Sequence, residues 1–223
     1  MKLANGKNNF VFLLSAFAVT AVLCGAVMAS EPDISLRWAL GAWTDDHDAP
    51  DAIQRDTNLE AGTRLKFLVE PTSPSTVYLL LQDSDKVIQV LYRDSSAMKN
   101  DGRDAQTYIP PGTQYFELED AAGVDTFFLL ASKEPLTELE TLLDRYELAE
   151  QQAEKTALGT EIVGEIRRQQ KAHRDFSRPV EKPVVIGGQT RGDAGSITDA
   201  IDRLATEVTS NSFYSKTITI GHE

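Results

Sequence analysis

Two short apolar runs decide how this chain folds: Val77-Tyr78-Leu79-Leu80-Leu81 and Phe127-Phe128-Leu129-Leu130. Both lie between Gly62 and Ser132, and polar turn residues bound each of them. A run of four to eight apolar residues between turn signals is consistent with a strand that is buried on both faces. We therefore expect these runs to be the central strands of a β-structure whose two faces are covered.

The segments around these runs alternate between apolar and polar residues, which is typical of strands with one face in solvent. Ile34 to Leu40 and Leu65 to Val69 show this period, and Val87 to Tyr92 is expected to return antiparallel after a turn at Asp83 to Lys86. Strands at such spacing, separated by turn signals, predict an antiparallel β-sandwich-like or partly closed barrel domain over residues 30–133.

A helical pattern begins at Glu134-Pro135, and a helical segment is predicted for residues 134–178. The first amphipathic helix should run to about Ala157, with a break at Leu158-Gly159. After the break, Ile162, Val163 and Ile166 form a thinner apolar stripe on a second helical piece. Apart from these residues, Gln151 to Arg174 is rich in Gln, Glu, Lys and Arg and is either a solvated helix or a connector. Apolar residues recurring at spacings of three and four carry the first helix: Leu136, Leu139, Leu142, Leu143 and Tyr146.

Residues 179–223 are predicted to pack back on the sheet, which makes the fold class α+β. Val180 to Lys182 is interpreted as an extended linker between two prolines, and Val184-Val185-Ile186 as a short strand. A closing strand is expected around Ile218 and Ile220. Between them, an amphipathic helix capped by Ser196 should place four residues on one face: Ile197, Ile201, Leu204 and Val208.

The first 29 residues are typical of an export signal. Lys2 and Lys7 precede an apolar segment from Phe10 to Val27, and Ala29 suits cleavage after it. This predicts a periplasmic or secreted protein. Two alternatives stay open: an uncleaved membrane anchor, since the run is near the ~18 residues that a span needs, and lipidation at Cys24.

The charge and the cysteine content restrict the classes of partner and chemistry. The net charge is −12, and loss of the first 29 residues, which hold two lysines and no acids, changes it to −14. Nucleic acid and an anionic membrane are therefore not expected as partners, because both need a basic surface. Cys24 is the only cysteine and leaves with the signal, which excludes disulfides and thiolate chemistry from the mature chain.

No residue pattern predicts a catalytic centre, a cofactor or a metal. An acidic loop (Asp45, Asp46, His47, Asp48, Asp51) offers carboxylates to a divalent cation but lacks the spacing of a known site. A glycine-rich loop from Gly187 to Gly195 lacks the phosphate-binding motifs. His173 and His222 are expected in solvent, and three aspartates are expected to serve the turns beside one hairpin: Asp83, Asp85 and Asp94.

Two features are candidates for contact with a protein partner. The polar stretch from Glu150 to Arg174 would be exposed if it is helical, and an exposed helix can bind a partner. The other candidate is a set of aromatic residues on the predicted strands, for which membership of the core is the alternative. Its residues are Trp38, Trp43, Tyr92, Tyr108 and Tyr115.

Several short motifs are spread over the block from Gly62 to Leu143. They are Gly62-Thr63-Arg64-Leu65-Lys66-Phe67, Val77 to Asp85, Val90-Leu91-Tyr92, Ile109-Pro110-Pro111-Gly112, and Phe127 to Ser132 with Pro135-Leu136. With these motifs the block resembles a bacterial family called domain of unknown function 4384. Arg93-Asp94 stands where that family often has Pro-Asn, and Lys86 stands where a glycine often closes the hairpin. The resemblance implies an accessory β-module without assigned catalytic residues, found beside caspase-like peptidase or kinase domains or alone behind a signal.

We therefore expect a non-catalytic exported protein of the cell envelope that acts as a binding or accessory module through a protein partner. One alternative is a regulatory or substrate-recognition subunit of a separately encoded peptidase or kinase. Another is a carboxylate-dependent hydrolase, which predicts a deep cleft lined by two close acids.

Overall fold

Two β-sheets and three helices make up the described part of the chain, which in this computed structural model comprises residues 32–44, 49–94, 106–119, 121–183 and 197–222. The predicted α+β class is confirmed, and the sheets do not close into a barrel. The strands are β1 (Ile34–Trp43), β2 (Asp51–Ala52), β3 (Thr57–Leu59), β4 (Arg64–Pro71), β5 (Thr76–Gln82), β6 (Ile88–Asp94), β7 (Thr107–Ile109), β8 (Phe116–Glu117), β9 (Gly123–Ser132), β10 (Val180–Pro183), β11 (Thr206–Ser210) and β12 (Phe213–His222). The helices are α1 (Thr137–Leu148), α2 (Gln152–His173) and α3 (Ile197–Asp202).

Strands from both ends of the chain share each sheet. The five-stranded sheet has the order β3-β12-β9-β5-β6, and the seven-stranded sheet has the order β10-β11-β1-β4-β7, with β2 added to β1 and β8 added to β4. Every pair is antiparallel except β12 with β3. The last strand, β12, lies between β3 and β9 and is therefore an internal strand.

The two apolar runs are the inner strands that the sequence predicts. β5 and β9 are neighbours, with Leu80 opposite Phe128, and each has another strand on its far side. Because side chains alternate along a strand, Leu79 and Leu129 enter the core between the sheets, called here the inter-sheet core. Leu80 and its cross-strand partner Phe128 point the other way, into the core beneath α1 and α2. Both faces of these strands are therefore buried.

Two tyrosine hydroxyls fix α1 to the five-stranded sheet. Tyr78 on β5 accepts a hydrogen bond from the backbone N–H of Leu136, at 3.0 Å, and donates one to Glu140 at 2.9 Å. Tyr146 on α1 accepts a hydrogen bond from the N–H of Ile88 at 3.0 Å. Burial of the Tyr78 hydroxyl raises its pKa well above the ordinary value, so it stays a neutral donor.

The helical region divides earlier than predicted. The chain leaves α1 at Ala149, which has extended backbone angles, and α2 then runs without a break through Leu158 and Gly159. Gly159 is needed for close packing, because a Cβ there would lie 3.3 Å from the carbonyl oxygen of Lys86. The helix is thus continuous where the glycine predicted an end. No helix in the described residues is long and apolar enough to cross a membrane.

The predictions for the last segment need two corrections. Val180 to Lys182 is not a linker but part of β10, since it pairs with β11. The helix α3 ends at Asp202, so Val208 lies in β11 and fills the inter-sheet core rather than a helix face. The predicted strand Val184-Val185-Ile186 lies outside the described residues.

We expect Tyr78→Phe to lower the free energy of unfolding by about 1–3 kcal/mol, because the buried N–H of Leu136 loses its acceptor. Glu140→Ala should cost less, since Glu140 is partly solvated and its loss removes the acceptor of the tyrosine proton and a 3.7 Å ion pair with Arg93. Urea denaturation followed by circular dichroism measures both. Equal stability of Tyr78→Phe and the wild type would contradict the anchoring role of the hydroxyl.

Candidate partner-binding surface

The structure distributes the five predicted aromatic residues among three places. Trp38 is 1% exposed and fills the inter-sheet core. Tyr92 is half-buried on the edge strand β6 and packs against that same core. Trp43, Tyr108 and Tyr115 lie together on the outer face of the seven-stranded sheet, where α3 packs. They do not form one face of five residues.

The period of the strands explains this division. Trp38 and Trp43 are both on β1 but five positions apart, and an odd separation places side chains on opposite faces of a sheet. Trp43 pairs with Arg64 on β4, and Tyr108 on β7 pairs with Leu68 of the same strand. Four side chains from three strands and a loop therefore lie on one face. We call Trp43, Arg64, Tyr108 and Tyr115 the aromatic surface.

The rings of the aromatic surface hold defined relative positions. The centroids of Trp43 and Tyr115 are 5.2 Å apart, at an interplanar angle of 75°, which is an edge-to-face contact. The guanidinium carbon of Arg64 lies 5.4 Å from the centroid of Tyr115, within range of a cation–π interaction. Trp43 is buried, whereas Tyr108, Tyr115 and Arg64 keep a solvent-accessible fraction.

A buried lysine holds the loop that carries Tyr115. The strand period predicts that Lys66 faces solvent, but its side chain is fully buried under the loop that follows β7. Its ammonium donates to the carbonyl oxygens of Pro110, Gly112 and Gln114 at 2.7, 3.0 and 2.7 Å. Desolvation lowers the pKa of Lys66 from its ordinary value. This role could not be predicted from the sequence, because the three acceptors are backbone atoms of a loop more than forty residues away.

A charged cluster borders the aromatic surface near α3. Arg37 contacts Glu70 at 2.6 Å and Asp202 at 2.9 Å, and the amide of Gln106 also donates to Asp202 at 2.9 Å. Burial opposes the charge on Arg37, but the two carboxylates outweigh it and the pKa of Arg37 is raised. Burial, and then the charge of Asp202, raise the pKa of Tyr108. The cluster ties β1, β4 and α3 together beside Tyr108.

Both histidines differ from the prediction of full exposure. His222 is 5% exposed, with Nδ1 3.2 Å from the carbonyl oxygen of Glu119 and Nε2 3.7 Å from a carboxylate oxygen of Asp125. Burial raises the pKa of Asp125, while His222 opposes that shift. His173 is half-buried and stacks on Phe213, with centroids 4.8 Å apart. The last strand, β12, accounts for both cases. His222 lies on β12 itself, and His173 packs on Phe213, which is the first residue of β12.

The remaining candidates for chemistry are acidic side chains and one depression among the described residues. Among these residues no group of three or more His, Cys, Asp or Glu could hold a metal ion. Asp45 to Asp48 and Gly187 to Gly195 lie outside them, and Asp83 accepts the N–H of Val87 as a turn residue. An open depression of about 390 Å³ holds one carboxylate, Asp56, which accepts the N–H of Thr219; its lining also includes Thr57, Asn58, Val124 and Gly221.

No family model matches this chain, and neither does a curated protein or a solved structure. The likeness to domain of unknown function 4384 therefore stays a prediction. Lys86, in the turn between β5 and β6, adopts a positive φ of 66°, where glycine is favoured.

We expect Lys66→Met to lower the free energy of unfolding by about 2 kcal/mol or more, because three carbonyl groups lose a charged donor. Hydrogen exchange should also become faster in the loop from Pro110 to Tyr115. The matched control is Lys133→Met, which removes an exposed ammonium that pairs with Asp33 and should leave stability unchanged. Protection of the loop as strong as in the wild type would refute the role given to Lys66.

Proposed function

We propose that this protein is a non-catalytic accessory protein that binds a protein partner through the aromatic surface. The observation that carries the proposal is the grouping of Trp43, Tyr108 and Tyr115 with Arg64 on one face. Tryptophan, tyrosine and arginine are the residue types that most often dominate the energy of protein interfaces. Each offers a large contact area together with a polar group at its tip.

The way these side chains are held also favours binding. Lys66 fixes the loop of Tyr115 from below, and Arg37 ties the strands to α3 beside Tyr108. Side chains that are already ordered lose less conformational entropy when a partner binds, so more of the contact energy contributes to affinity. A protein partner suits such a surface better than a small molecule, because the surface is a face of the sheet and not an enclosed pocket.

We also propose that the protein acts in the cell envelope, in the periplasm or after secretion. The support for this is the sequence of residues 1–29, with its basic start, apolar segment and Ala29. In this proposal the protein needs no cofactor and no nucleic acid, and the signal is removed before it meets its partner.

We expect Arg64→Glu and Tyr115→Ala to reduce recovery of a partner by about tenfold each, the effect of losing a moderate interface anchor. The assay is affinity capture from an envelope extract with quantitative mass spectrometry, repeated with the purified partner. Arg145→Glu is the matched control, because it makes the same change at an exposed position on α1. Recovery of no protein above background, or of the same proteins in equal amounts with all four forms, would refute the proposal.

A further inference from the structure

A glycine stands near the middle of α2 on its exposed side. Gly164 is exposed, and no atom lies within 4 Å of the place where its Cβ would be. In the interior of an exposed helix, glycine is less stable than alanine by about 1 kcal/mol. No contact within the described residues accounts for this cost, in contrast to Gly159, which packs on Lys86. The usual structural reason for such a glycine is the close approach of another backbone.

Charges along the exposed side of α2 change sign at Gly164. Glu154 and Glu161 precede it by ten and three residues, and Arg167 and Arg174 follow it by three and ten. All four side chains are exposed. The described ion pairs of Glu161 with Arg145 and of Arg174 with Asp175 are 3.7 and 3.6 Å long and mostly solvated, so they are weak and can exchange.

The same pattern extends past the ends of the helix. Glu150 lies fourteen residues before Gly164, and Arg178 lies fourteen residues after it. A large exposed apolar residue lies beyond each end as well: Leu148, 81% exposed, at the acidic end, and Phe176, 73% exposed, at the basic end. Since 22 helical residues span about 33 Å, the two ends are too far apart to satisfy each other within one molecule.

We propose that α2 is the interface of a symmetric homodimer, in which two copies of α2 pack antiparallel and cross at Gly164. A two-fold axis at that residue places each acidic position of one copy at the level of a basic position of the other. It also brings Leu148 of each copy to the end that carries Phe176 and Val180 of its partner. A two-fold interface brings the same surface of both copies together. That surface must therefore be complementary to a copy of itself that is rotated by 180°.

The order of charges along α2 favours a second copy of this chain over other partners at this surface. An anionic membrane would attract the second half of α2 but repel Glu150, Glu154 and Glu161 of the first half. An acidic protein partner would meet the same repulsion. Only a partner with the reverse order of charges satisfies both halves, and an antiparallel copy has that order. This interface lies on the five-stranded-sheet side, apart from the aromatic surface, and does not depend on the proposed function.

Two charge-reversed variants test the dimer by sedimentation velocity at low salt. We expect the wild type to dimerise, and we expect Glu154→Lys with Glu161→Lys to weaken the dimer about 100-fold through repulsion between like charges. Arg167→Glu with Arg174→Glu should do the same. An equimolar mixture of the two variants should dimerise again, because each then meets the opposite charge. Raising the salt concentration should weaken the wild-type dimer.

The control for charge alone is Asp51→Lys with Glu60→Lys, two exposed positions outside α2, which should dimerise as the wild type does. Circular dichroism verifies that every variant is folded. A wild-type protein that stays monomeric at all concentrations would overturn the proposal. So would variants that dimerise like the wild type, or a mixture that stays monomeric although both variants are folded.

Cross-linking tests the position of the two-fold axis. In a Cys24→Ser background, a mixture of Glu161→Cys and Arg167→Cys places one thiol of each copy at the same level across the axis without adding a side chain at Gly164. A short bis-maleimide should therefore join the two variants into a covalent dimer. Thr141→Cys, an exposed position on α1, is the matched control and should cross-link far more slowly. If the mixture cross-links no faster than Thr141→Cys, the crossing at Gly164 is overturned.

Discussion

The pairing of β5 with β9 is the constraint on which the rest of the structure depends. The two strands lie side by side inside the five-stranded sheet, and neither has a face that can meet water. Leu79 and Leu129 must be covered by a second sheet, while Leu80 and Phe128 must be covered by helices. A single antiparallel pair therefore requires layers on both of its sides, and the chain supplies them from segments before, between and after the two strands.

This arrangement decides which surfaces remain for other molecules. The helices α1 and α2 bury their apolar side on the five-stranded sheet and leave the charged side of α2, with Gly164, in solvent. The seven-stranded sheet is covered by the short helix α3 over part of its outer face, and the aromatic surface lies beside that helix. The two candidate interfaces thus lie on opposite sides of the molecule, so that a dimer through α2 would leave both copies of the aromatic surface accessible.

The central strands, the hairpin after β5 and the first helix could be predicted from the sequence because each depends on local periodicity. The predictions that were wrong share one cause: at these places the structure depends on contacts between segments that are far apart in the sequence. Lys66 is at a position that should be solvated, and only the later loop at Pro110 to Gln114 buries it. Val180 to Lys182 has no strand period of its own and becomes a strand because β11 pairs with it. For the aromatic set, the two-residue period of β1 could have placed Trp38 and Trp43 on opposite faces of the sheet. The position of Tyr108 and Tyr115 on the same face as Trp43 could not be predicted, because it depends on the order of the strands.

Native-state hydrogen exchange tests the central pairing most directly. Amides in β5 and β9 should exchange only when the whole molecule unfolds, with the full denaturant dependence of global unfolding. Amides of the exposed edge strand β10 should exchange through smaller openings and respond weakly to denaturant. If the amides between Val77 and Leu81 or between Phe127 and Leu130 exchange as readily as those of β10, these strands are not the stable centre of the fold and the account fails.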